Sequence, residues 1–217
     1  MSENANKDQY FDVLGTGIKG ASDKFKNKDN ITIMVTGFTP FQTVTDNPTS
    51  RFLLGDGTST DPSSLGFKPP AASDMDNMMR QQFGNFVKEP APYYASVNGQ
   101  QVEAGRTYTV TDPSTNKPKV INLATVRLPV DVDFTDGDDT GDTLRNSINT
   151  ANPDAILSFG AGTPGNSNYY VETRSYGVTG AGHGIHVNGG EDHKYRTNRQ
   201  FIENNDFSDI YRRQLKK

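Results

Sequence analysis

Cysteine and tryptophan are both missing from these 217 residues. Without a thiol the chain has no disulfide framework, no thiolate metal site and no cysteine nucleophile of its own. Long apolar runs are missing too: none approaches the roughly 18 residues that span a bilayer. The N-terminus MSENANKDQYF is polar where a secretory leader would be basic and then apolar. The expected setting is therefore cytoplasmic, with no membrane partner. Blocks of like charge are absent as well, and with a net charge of −4 the sequence carries no basic footprint for nucleic acid. Apolar residues are scarce, at 32%, and mean hydropathy is −0.71. The core must come from a few dense segments, with much of the chain left as loop, arm or insertion.

Those segments can be found. Residues 1–30 are polar, with apolar spacing at Phe11, Val13, Leu14 and Ile18, and read as an N-terminal arm or short helix. Ile31 to Thr36 is nearly continuously apolar, as in a strand covered on both faces. Asn47 and Pro48 mark a helix entry, cap first and proline in the first turn. Residues 55–118 read as a long β-rich insertion. It holds a helix from Ser73 whose Met75, Met78, Met79, Phe83, Phe86 and Val87 recur at core spacing. Hairpin strands follow at 93–97 and 107–110 around Asn98-Gly99, with a further turn at 112–118, and are expected at the periphery.

The main fold then resumes with VINLATVRLPV at 120–130. The acidic stretch 133–142 reads as a solvated loop feeding a helix N-cap, since the ligand spacing of calcium loops is not met. Leu144, Ile148 and Ala151 give an amphipathic helix, and DAILSF at 154–159 a third core strand. The expected fold is α/β: a single domain over 31–217, with a mostly parallel or mixed sheet between helices on both faces, a three-layer, phosphorylase/hydrolase-like arrangement.

In such sheets ligands bind beyond the carboxyl ends of the strands. GFTPF follows the first strand and sets Phe38 and Phe41 around a proline. Gly160-Ala161-Gly162-Thr163-Pro164-Gly165 follows the third and formally fits G-x-G-x-x-G. That fingerprint needs a helix opening directly after it, and NSNYY is extended in character. A turn of this kind can instead aim backbone N–H groups at a developing oxyanion. Glu172, between bulky neighbours, reads either as a structural ion-pair partner or as a catalytic carboxylate. His183, His186 and His193 lie in glycine-rich chain that fixes no common face, so a solvated loop is expected there and no metal site. The G-x-S-x-G elbow of serine hydrolases is missing. No cofactor is expected.

Taken in order, VTGFTPF with NPT, RLPV, PDAILSFGAG, VETRSYG and GIHVNGG resemble the N-terminal part of the pyroglutamyl peptidase I family. These are cysteine peptidases that remove 5-oxoproline from peptide N-termini. The resemblance covers residues 31–54 and 119–190, about half the chain. It implies that Phe38 and Phe41 wall a pocket for the flat lactam ring, and that Glu172 matches the catalytic glutamate that orients an imidazole. It also implies that Gly160, Ala161 and Gly162 lie in the turn beside the oxyanion. The sequence departs from the family at Gln42-Thr43, where two glycines are usual, and at Thr173, where arginine is usual. The family's cysteine and histidine come downstream of the glutamate, on segments that at this spacing fall beyond Lys217. Two functions follow: a pyroglutamyl-peptidase-like hydrolase completed by a second polypeptide, or an inactive relative. The alternative is a non-catalytic binding module for a small lactam, a peptide end, a protein partner or another copy of the chain.

Overall fold

A computed structural model describes residues 3–160, apart from 41–43, 62, 64, 114 and 131–139. The chain begins with helix α1 (Glu3–Lys24), enters strand β1 (Asn30–Phe38) and passes through helix α2 (Pro48–Leu54). Strand β2 (Gly66–Phe67), helix α3 (Ala72–Phe83) and strands β3 (Lys88–Val97), β4 (Gln100–Asp112) and β5 (Lys117–Leu128) follow. Helix α4 (Thr140–Ala151) and strand β6 (Ala155–Ser158) close the described part.

The strands make one mixed α/β sheet in the order β3-β4-β5-β1-β6, with β2 also on β5. Strand β1 runs parallel to both β5 and β6, while the β3, β4 and β2 pairings are antiparallel. Alternation along β1 sends Ile31, Ile33 and Val35 into one apolar cluster and Met34 into another. The first cluster takes Tyr10, Leu14 and Ile18 of α1, Phe52 and Leu53 of α2, and the three methionines of α3. In the second, Leu144 and Ile148 of α4 pack against Ala124, Val126 and Leu128. Both faces of the central strands are thus removed from water, which explains why their sequence is continuously apolar.

Two segments differ from expectation. The first thirty residues hold a helix of 22 residues, and Tyr10, Leu14, Ile18 and Ala21 bury completely or nearly so against the sheet and α3. Its Gly15 marks the crossing point, since a Cβ there would stand 3.0 Å from Met78 Sδ. The glycines that lower helix propensity in this stretch therefore include one that lets the two helices approach. The insertion, in turn, is not peripheral throughout. Strand β4 lies inside the sheet between β3 and β5, with Ala104, Tyr108 and Val110 fully buried. The Met stripe of α3 is core as its spacing predicts, whereas Val87 lies past the helix end and is half exposed. The Asn98-Gly99 turn has positive φ at both positions, as a two-residue hairpin turn requires.

Polar ties hold these elements. Arg106 grips the Asp76 carboxylate through two nitrogens, at 2.9 and 2.8 Å, and the Tyr108 hydroxyl donates to the same carboxylate at 2.8 Å. Burial and then that hydrogen bond hold the Tyr108 phenol well above its usual pKa. Lys119, 2% exposed, donates to the carbonyls of Ser22 in the last turn of α1 and of Phe25 just after it, and reaches Asp112 at 3.4 Å. A cation at a helix C-terminus satisfies carbonyls that have no partner within the helix. Among the described residues no helix is long and apolar enough to cross a membrane.

Candidate functional site

The carboxyl ends of β5, β1 and β6 lie side by side, with Phe38 paired to Leu128 and Thr36 to Ser158. The ligand site expected from the sequence would lie here, and the local chemistry explains how the chain turns. The Asn47 side chain accepts from Thr49 N–H at 3.1 Å, capping α2, while its amide nitrogen donates to the Thr39 carbonyl at 3.0 Å. Thr49 Oγ1 accepts from Phe38 N–H at 3.0 Å, and Ser50 Oγ donates to the Phe38 carbonyl at 2.8 Å. Both backbone groups of Phe38 are thus held by the first turn of α2. Gly37 makes this possible, because a Cβ at that position would stand 3.0 Å from the Thr49 carbonyl oxygen.

A second ring of bonds joins β5. Thr39 N–H donates to the Leu128 carbonyl at 2.9 Å, and Val130 N–H donates to Thr39 Oγ1 at 3.2 Å. Arg127, 4% exposed, donates to Ser50 Oγ at 3.2 Å and faces the Asp56 carboxylate at 3.6 Å. The Thr58 backbone N–H holds the Asp56 carboxyl below its usual pKa, so it stays charged opposite the guanidinium. Thr36 donates its hydroxyl hydrogen to Ser158 Oγ at 2.8 Å. Ser158 is exposed.

Of the residues singled out in the sequence, Phe38 and Gly160 are described. The Phe38 ring is partly buried against the cluster that contains Met34 and Leu128. Gly160 is exposed, and among the described residues nothing lies within 4 Å of where its Cβ would be. Phe41, Ala161, Gly162 and Glu172 lie outside the described residues, as do His183, His186 and His193. Thr36, Thr39, Ser50, Arg127 and Ser158 escaped the sequence reading. Thr36 and Thr39 flank the Gly-Phe pair and Arg127 opens RLPV, but nothing local marks them as partners.

Chemically, the described part of this site fixes the backbone around Phe38. Its buried polar atoms are paired with one another, which fixes backbone rather than holding a proton ready for transfer. Among the described residues no group of three histidine, cysteine or acidic side chains is placed to hold a metal. No family model, curated protein or solved structure matches the chain.

Proposed function

We propose that this chain is a pyroglutamyl-peptidase-like protein that binds a small lactam or a peptide N-terminus at the carboxyl ends of β5, β1 and β6. On this reading the sheet is the middle of a three-layer, hydrolase-like fold in a cytoplasmic protein. Phe38 and Phe41 wall the ring, Glu172 supplies the carboxylate, and the turn Gly160 to Gly162 offers backbone N–H groups. The observation that supports it is the interlock of the two halves of the VTGF and NPT signature. Asn47 and Thr49 clasp the backbone of Phe38 and Thr39, so the spacing of the signature has a physical purpose.

The chain holds no cysteine, and a carboxylate alone does not replace a nucleophile and its base. These 217 residues are therefore expected to bind without turnover, and hydrolysis by the family's route needs a cysteine and a histidine supplied from outside them. Calorimetry with a 5-oxoprolyl amide tests this. Saturable binding is expected, with no amine released. Phe38→Ala weakens it about five- to thirtyfold, the loss of up to ~2 kcal/mol of ring burial, while Phe38→Leu retains most of it. Absence of binding, or binding untouched by both Phe38→Ala and Phe41→Ala, overturns the reading.

A further inference from the structure

A second site lies at the opposite end of the sheet, where β1 and β5 begin. The segment after α1 and the β4–β5 turn enclose a half-open cavity of about 210 Å³. Lys26, Asn27, Thr115 and Lys117 line it with donor groups, and none of these side chains has a partner among the described residues.

The other lining charges are already engaged. Lys119 spends its ammonium on the Ser22 and Phe25 carbonyls and on Asp112, so the negative end of α1 and the Asp112 carboxylate are answered from inside. Lys28 pairs with Asp154 at the start of β6. What remains is two ammonium groups against the single Asp29 carboxylate, in a chain whose net charge is −4. An acidic protein that gathers uncommitted cations and two neutral donors around one concavity has a local field opposite to its global one.

From this cavity we infer a binding site for a small dianion, a phosphate group or a dicarboxylate, bridged between Lys26 and Lys117 and seated by Asn27 and Thr115. Lys26 and Asn27 precede β1, whereas Thr115 and Lys117 border β5, so an occupant would join two segments distant in sequence. The ligand need not touch the carboxyl-end site, and the two readings stand or fall separately.

Two-dimensional amide NMR of the whole chain tests it, with inorganic phosphate or malonate added at constant ionic strength. Saturable shifts confined to residues 26–29 and 115–119 are expected. Lys26→Gln with Lys117→Gln weakens binding about tenfold, as two charge-assisted bonds are lost. Lys88→Gln, which removes the same kind of charge from the far edge strand, leaves affinity unchanged. Tighter binding of phosphate than malonate identifies the phosphate source, and the reverse the dicarboxylate. Shifts that fail to saturate, that chloride reproduces, or that survive the double substitution mean counter-ion attraction only and overturn the site.

Discussion

Asn47 performs two tasks with one side chain, capping α2 through its oxygen and holding the Thr39 carbonyl through its nitrogen. Asn47→Ala is expected to cost about 2–4 kcal/mol, a lost cap plus a buried carbonyl left unpaired, read as a lower urea midpoint. Asn47→Asp keeps the cap, loses the donor and falls between. Tyr108 offers a test in pH. Its phenol is raised by burial and by donation to Asp76, so the unfolded chain ionises first and the contribution of Tyr108 to stability is intact below pH ~10 and lost progressively above it. The urea midpoint measured at pH 9 and pH 11 should therefore fall more steeply for the wild type than for Tyr108→Phe. Asn47 was legible in the sequence because its cap partner is two residues away. Arg127 was not, because its Ser50 partner is 77 residues away, and no local pattern announces such a meeting.

At the scale of elements, the helices are explained by what they cover. Leu14 is fully buried between α1 and the sheet, so Leu14→Ala should cost about 2–5 kcal/mol in chemical denaturation. Helix α3 is preceded by the N-cap residue Ala71, whose backbone is extended and which makes no side-chain cap bond. Ala71→Ser is expected to stabilise by about 0.5–1 kcal/mol, visible as a raised thermal midpoint. The strands β1, β5 and β6, the Met-bearing helix and the hairpin turn were all readable from periodicity and turn chemistry. Helix α1 was harder, because the stripe Tyr10, Leu14, Ile18 and Ala21 is diluted by polar residues and by glycines. The inward position of β4 was hidden for another reason. Periodicity shows which face of a strand is buried, but not which neighbours it will have.

For the molecule as a whole, two ends of one sheet have different characters. Among the described residues, the carboxyl ends of the parallel strands carry hydrogen-bonded polar groups around Phe38, and the amino ends carry unspent cations. A lactam-type ligand should protect the first end and leave the second unchanged, a contrast that amide hydrogen exchange can resolve by residue. The sequence reading expected a site at the first end from the GFTPF and NPT segments. It could not locate the second, since Lys26 and Lys117 meet only through the fold.

The placement of β1 has a further consequence. Its register against β5 pairs Asn30 with Val120 and Phe38 with Leu128. During synthesis this largely buried strand emerges before either of its neighbours, since β5 begins only at Lys117 and β6 only at Ala155. Its apolar side chains stay uncovered until those distant partners are made, so refolding is expected to be slower than for a fold of local contacts.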